Sequence, residues 1–499
     1  MSSIKSFALS LSSCLLVLSA ALLPVTLLPA PAMAQEPPAV RTGIEEVAAT
    51  VGSKAGVQAL RRAATARASS RAVELLSRYV RIDTVNPPGN ESRGAHFLAS
   101  VLEESGINAR VFESRPGRGN VYARLRGDGS RRPVILLSHI DVVPADPGQW
   151  SVPPFEAVVK DGSLYGRGVL DCKGITTIQL LAMLALKESG TTLSRDIIFL
   201  ATADEETGGR LGAAWMLDNH YDLLGDAEFV LNEGGFIHRD PGKPVVFKLG
   251  VAEKSPCWFR VTATGEPGHG SRPAAETAVT RLVDALAKLT AREKKIEVGP
   301  VVAGYYAAYA ALDEERARQY RQLERSLESV EFRDWFMADP AAAALVTNTV
   351  APTMLEASVK TNIIPATATA QVDSRLLPGH DCVSFLSELR QAVGGPNVRI
   401  EPILSFASTQ SPMNNELTEA VERVAATMDE RAIVLPALLG GFTDSHYFRE
   451  KGIHAYGMVP LETSPEERST LHGPDERISV SSLQDAVGRM VKLLLELGG

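Results

Sequence analysis

The chain has 499 residues, 45% of them hydrophobic and 22% charged, with a formal net charge of −8; that length suits two or three domains of ordinary size. An acidic balance with no Lys/Arg run excludes a general binder of nucleic acid or of anionic membrane, whose footprint is a basic patch. The carboxylate excess suits a protein that uses acidic side chains to hold cations, although a solvated acidic surface gives the same count.

The first residues read as a targeting segment. Lys5 is followed by an apolar stretch from Leu9 to Leu28, and Ala32-Met33-Ala34 is a small-x-small cleavage site. Residues 1–34 are therefore expected to be a secretory signal, sending the protein to the periplasm or outside the cell. The alternative is an uncleaved membrane anchor, which Pro24 and Pro29 disfavour. Residues 35–70 are rich in Ala, Arg and Glu and predict a leader or a peripheral helix. Cys14 falls in the signal, and Cys172, Cys257 and Cys382 form an odd, widely spaced set. The fold is expected not to depend on disulfides.

From residue 71 the pattern is αβ alternation. Residues 73–79 and 94–105 read as helices, the second stopped by Gly106. The apolar run at 133–137 reads as a strand buried on both faces, and those at 197–201 and 228–231 repeat it. Between them, residues 174–188 carry Ile175, Ile178, Leu181, Ala182 and Ala185 at helical spacing, and 209–219 predict another helix. This predicts an α/β catalytic domain with a mostly parallel, helix-covered sheet over residues 71–249. The style then changes. Alternating strands at 258–264, 350–355 and 367–372, with helices at 277–289 and 381–393, predict a smaller α+β domain over 250–407. A charged helical stretch at 305–336 reads as an insertion in that smaller domain. After Pro412 the αβ style returns, with a helix at 417–428 and an apolar run at 432–435, so residues 408–499 complete the first domain.

In parallel αβ sheets, ligands collect at the carboxyl ends of strands. Those positions hold Ser138-His139-Ile140-Asp141, Asp204-Glu205-Glu206 and Asn232-Glu233-Gly234-Gly235. Gly166-Arg-Gly-Val-Leu-Asp171-Cys-Lys-Gly174 opens a helix, and Leu471-His472-Gly473-Pro474-Asp475-Glu476 comes late. Carboxylates and imidazoles so placed repel or desolvate one another unless a cation neutralises them. Mixed imidazole and carboxylate ligands suit zinc, cobalt or manganese better than calcium. Asp171, in a tight Gly-rich turn, is the expected bridge between two metals. His139 and Glu233 then serve one, and Glu206 and His472 the other. Glu205, adjacent to a ligand but unable to point the same way, is left free as a base. Asp141 lies two residues beyond His139 on the same face and is placed to orient its imidazole.

These ordered motifs resemble those of the co-catalytic dinuclear zinc peptidase family that includes aminoacylases, glutamate carboxypeptidase and succinyl-diaminopimelate desuccinylase. Length, signal and helical insertion make the chain most similar to the carboxypeptidase S-like branch. The resemblance implies a catalytic domain bearing two zinc ions, a ferredoxin-like lid that often dimerises, and a cis peptide after Asp171. It further implies that Glu205 takes the proton from the attacking water. His269 in Gly268-His269-Gly270-Ser271 matches a histidine that reaches another subunit's active site. Asn362 and Arg375 match positions that hold the substrate's free carboxylate, for which an Arg fork is geometrically suited. Gly440-Gly441 resembles a glycine turn beside the substrate. Asn232, where the family often has Asp, and the 305–336 stretch depart from the pattern. The implied substrate is a small peptide cleaved by a carboxypeptidase or dipeptidase, with an N-acyl amino acid deacylase as the alternative and a non-catalytic binder on the same fold third. His96, His220, His238, His380, His446 and His454 are taken as structural, and Cys172 as packing.

Overall fold

The structure is a computed structural model that describes Lys54–Gly498. The expected signal at 1–34 and the first part of the 35–70 leader lie outside the described residues. Among the described residues no helix is long and apolar enough to cross a membrane.

One sheet carries the catalytic half. Its strands run in the order Ala109–Arg115, Arg118–Leu125, Ile197–Thr202, Val134–His139, Phe229–Asn232, His454–Gly457, Val246–Glu253 and Ile433–Leu439. The central Val134–His139 strand pairs in parallel with Ile197–Thr202 and with Phe229–Asn232, while antiparallel pairing is confined to Ala109–Leu125, the Gly457–Gly250 contact and the short strand Ile237–His238 beside Val246–Glu253. Every side chain of Val134–His139 and of Ile197–Thr202 is buried. Val134 and Leu136 face one apolar cluster, Ile135 and Leu137 another, because successive residues of a strand point to opposite faces. The helix Lys173–Glu188 covers the first face, with Lys54–Ser70 and Val480–Gly498 outside it. The second half of the expected leader is thus a packed helix, with Ala68 in the core.

The smaller sheet is antiparallel, in the order Thr349–Glu356, Thr367–Leu376, Ser255–Thr264 and Val398–Ser405. Burial alternates along Thr367–Leu376, and the helices Ala278–Thr290 and Cys382–Val393 cover its apolar face. This is the expected lid. Two expectations are corrected here. Cys257 and Cys382 form a disulfide with a Cα–Cα distance of 5.4 Å, tying a central strand to the helix above it. Their separation of 125 residues hid the pairing, which only the strand-under-helix layering creates. The stretch read as a lid insertion is five short helices, Pro300–Tyr309, Ala317–Arg321, Leu323–Ser326, Val330–Met337 and Pro340–Val346. Val302, Tyr306, Tyr320 and Phe336 join the core of the large sheet, and Pro300–Tyr309 packs on its edge strand Ile433–Leu439. An edge strand with an apolar face must be covered, and these helices cover it.

Candidate metal centre

Three strand ends and two loops converge on one cleft. His139 is the last residue of Val134–His139, and Glu233 follows Phe229–Asn232. Glu205 opens a short 3-10 turn after Ile197–Thr202, entered through Asp204 in the left-handed region at φ 74°. Arg118 holds that strained residue, its Nη2 lying 2.7 Å from Asp204 Oδ1 and 2.8 Å from Glu91 Oε1. The backbone N–H groups of Glu205 and Glu206 donate to the carboxylate of Asp141 at 3.2 and 3.1 Å, and Asn86 Nδ2 donates at 2.8 Å. Asp141 therefore does more than was expected of it. Its main-chain carbonyl takes His139 Nδ1 at 2.9 Å, which fixes the imidazole with Nε2 toward the cleft, while its carboxylate fixes the Glu205–Glu206 turn.

Asp171 stands in the middle. Its Oδ1 lies 2.9 Å from His139 Nε2, and its Oδ2 lies 3.0 Å from His472 Nε2. Glu233 Oε1 is 3.7 Å from His139 Nε2, and Glu206 Oε2 is 3.5 Å from His472 Nε2. The two oxygens of one carboxylate thus face two imidazoles, each backed by a second carboxylate. The peptide bond Asp171–Cys172 is cis. Ligand atoms of His139, Asp171 and Glu206 lie within 4.8 Å of one another, as do those of His139, Cys172 and Glu233. Cys172, read as packing, therefore borders the cluster; burial pushes its thiol up to about 12, so it is neutral beside the imidazole.

The electrostatics show why a cation belongs here. Burial, then the charge of Asp171, pushes Glu233 up to about 8. Burial, then Glu233, holds Glu205 well above the carboxylate range. Burial opposes ionisation of Asp171 too, but hydrogen bonds from His139 and His472 outweigh it and hold its pKa low. His472 is raised to about 10 by its hydrogen bonds to Asp171 and Glu206. Protons on these groups do the work that positive ions would do better. Glu206 Oε1 is buried with no hydrogen-bond partner, an acceptor left over that a metal ion would satisfy. The residues fit a dinuclear site: Asp171 would bridge, His139 and Glu233 would hold one ion, and Glu206 and His472 the other.

The clamp on the bridging loop was missed. Glu476, fully buried, accepts from the backbone N–H of Gly168, Leu170 and Asp171 at 2.9, 2.8 and 3.1 Å, and pairs with Arg167 Nη1 at 2.6 Å. Arg167 Nη2 also donates to the carbonyls of His472 and Gly473 at 3.2 and 3.0 Å. One acid–arginine pair therefore sets the distance between the bridge and the second histidine. Glu476 stands in the late motif next to His472, but only its burial reveals its role.

The lid residues lie differently. Gly268–His269 pairs with Ile363–Ile364 in a small exposed ribbon, and Gly270 N donates to Asn362 O at 3.0 Å. His269 is exposed, its Nδ1 2.8 Å from Ser271 Oγ. Arg375 is gripped by Asp373 through two contacts of 2.8 and 3.0 Å and lies over the rings of Trp258 and Phe442. The structure brings His269 and Asn362 together. Among the described residues, no hydrogen bond or ion pair joins His269, Asn362 or Arg375 to the five-residue cluster.

Residues 135–496 match the model of peptidase family M20/M25/M40. The chain belongs to this family. Among M20 relatives it is 29% identical to aminoacylase-1 of Sus scrofa over 430 residues, covering 85% of this chain and 95% of that protein. It is 27% identical to probable carboxypeptidase S-like 2 of Dictyostelium discoideum, covering 72% of this chain and 70% of that one. The fold matches an M20 family metallo-carboxypeptidase from Sulfolobus solfataricus with a TM-score of 0.69 at 20% identity, over 85% of this chain and 98% of that one. The α/β catalytic half with a separate lid is thus the M20 architecture, and the chain is a metal-dependent hydrolase.

Proposed function

We propose that this M20 hydrolase cleaves an amide bond next to a free carboxylate and releases an amino acid, with two divalent ions, zinc foremost, held by His139, Asp171, Glu206, Glu233 and His472. The observation that carries this reading is Asp171, whose two oxygens each face an imidazole backed by another carboxylate. Two imidazoles and three carboxylates with no thiolate needed suit a catalytic zinc pair. When bound, two such ions lower the pKa of a water and polarise the scissile carbonyl. Glu205 takes the proton from the attacking water and passes it to the leaving amine. Asp141 keeps the turn that carries Glu205 in register, and Arg375 offers its guanidinium edge to the substrate carboxylate.

Peptide cleavage and N-acyl amino acid deacylation are both compatible with this cleft, and the aminoacylase-1 relatives favour the second. A panel of dipeptides and N-acyl amino acids assayed on the metal-loaded protein separates them. Cleavage of the free-carboxylate substrates, and not of their amides, is expected. Equal rates on the amidated forms would sink the carboxylate requirement.

We propose further that His269 works in the cleft of a second copy of the chain, where it would donate to the developing oxyanion. Its exposed ribbon and its lack of a cleft contact support this, as does the exposed edge strand Thr349–Glu356, which offers Leu355 at 67% exposure. Mixing inactive Glu205→Ala and His269→Ala proteins should restore turnover, since one cleft of a mixed dimer then holds both groups. No recovery after subunit exchange would place His269 outside the reaction of a neighbouring copy.

A further inference from the structure

The five helices of residues 300–346 do more than cover an edge. Between them and the Ile433–Leu439 strand lies a cleft of about 770 Å³, inside the roughly 300–1,000 Å³ range of small-molecule sites. None of the residues lining it is a metal-cluster side chain, so it is a cavity in its own right. Aromatic rings build its wall. Tyr305 and Tyr309 stack with centroids 5.9 Å apart and planes 12° from parallel. Tyr306 packs obliquely, 5.2 Å from both Tyr320 and Phe336. Trp335 stays 44% exposed although the guanidinium of Arg316 lies 4.3 Å from its ring centroid.

The charge along this wall is unbalanced. Lys248 belongs to the strand Val246–Glu253, and its Nζ lies 5.9 Å from the centroid of Tyr305. Among the described residues that ammonium has no ion pair and no hydrogen bond, and Arg468 adds a second positive charge within electrostatic reach. The hydroxyls of Tyr305, Tyr306 and Tyr309 have no hydrogen-bond partner among the described residues either. Asp339, the acid on the lining, forms no pair with Lys248: its carboxylate caps the helix Pro340–Val346, taking the backbone N–H of Ala341 at 2.9 Å. Free donors and an uncompensated cation therefore face a cleft walled by rings.

We propose that this cleft is a second binding site, separate from the metal centre, for a small aryl carboxylate. Its acid group meets Lys248 and the tyrosine hydroxyls, and its ring joins the aromatic wall. A carboxylate accepts from an ammonium and from hydroxyls in charge-assisted bonds, which are stronger than neutral ones. A ring set edge or face against other rings gains beyond the area it buries, whereas a saturated group of the same size gains the area alone. An organic cation would stack as well but is repelled by Lys248 and Arg468.

Calorimetric titration with 3-phenylpropionate tests the site without any turnover, so its outcome does not depend on the hydrolase reading. The metal-loaded protein should bind it, and binding should persist after chelation of the metals and in Asp171→Ala. The neutral 3-phenylpropionamide should bind about tenfold more weakly, as should the acid to Lys248→Met, which keeps the length of the side chain and loses the charge. The saturated 3-cyclohexylpropionate should bind about threefold more weakly than the aryl acid. Lys248 and Ala341 are both exposed, so neither Lys248→Met nor Ala341→Trp enters the core. Ala341→Trp fills the cleft and should weaken 3-phenylpropionate about tenfold or more. Absence of binding overturns the site, and so does binding that disappears with the metals, which would put the acid in the metal cleft. Equal affinity for the amide, or no change in Lys248→Met and Ala341→Trp, overturns the carboxylate contact. Equal affinity for the cyclohexyl acid overturns the aryl class.

Discussion

Replacing Glu205 by Ala should lower turnover by about 10²–10⁴-fold while both metal ions stay bound. Glu205 and Glu206 are consecutive in a 3-10 turn, so their side chains diverge. Glu206 turns to His472, and Glu205 has no imidazole within ion-pair distance. Its raised pKa comes from burial and from Glu233, not from a partner that would consume its basicity. Ions bound among these acids would favour its carboxylate form, and a carboxylate returned from a raised pKa accepts a proton readily. Metal content by elemental analysis, measured beside kcat, decides the matter. Full turnover in Glu205→Ala would remove it as the base; lost metal would make it a ligand.

Asp171→Ala should empty both metal positions at once. Removing an outer-shell partner already weakens metal sites by about 10–100-fold, and Asp171 touches both halves of the cluster directly. Glu233→Ala and Glu206→Ala should each release one ion in preference, because each faces a single imidazole. The readout is metal per chain after dialysis, with activity falling to background for Asp171→Ala. Two ions retained per chain in that variant would end the bridging assignment.

How far the sequence carries this site depends on whether the contacts are local. Parallel strands buried on both faces read as continuous apolar runs, so Val134–His139 and Ile197–Thr202 were legible, and the polar residues at their tips were legible with them. His139, Asp171, Glu206, Glu233 and His472 converge as their positions predict. What could not be read are pairings that arise only in three dimensions. The aromatic residues from Tyr305 to Phe336 are irregularly spaced because they answer to a strand about a hundred residues later, not to a helix of their own. Asn90 and Glu91 begin the helix Glu91–Glu104 three residues before the expected Gly94, since Glu91 is committed to Arg118 inside the fold. The second duty of Asp141 rests on backbone donors from a different loop, and no pattern in its own neighbourhood announces them.

The Arg167–Glu476 clamp also bears on biosynthesis. A growing polypeptide that has reached the 460s has its central strands and the bridging loop, yet that loop has nothing to grip it and the second imidazole does not exist. Cations offered to such an intermediate would meet four of the five ligand side chains, His472 alone being absent, with the bridging Asp171 on a loop not yet gripped. Completion of the second metal position would thus wait until translation has passed residue 476 and the loop has been drawn into place.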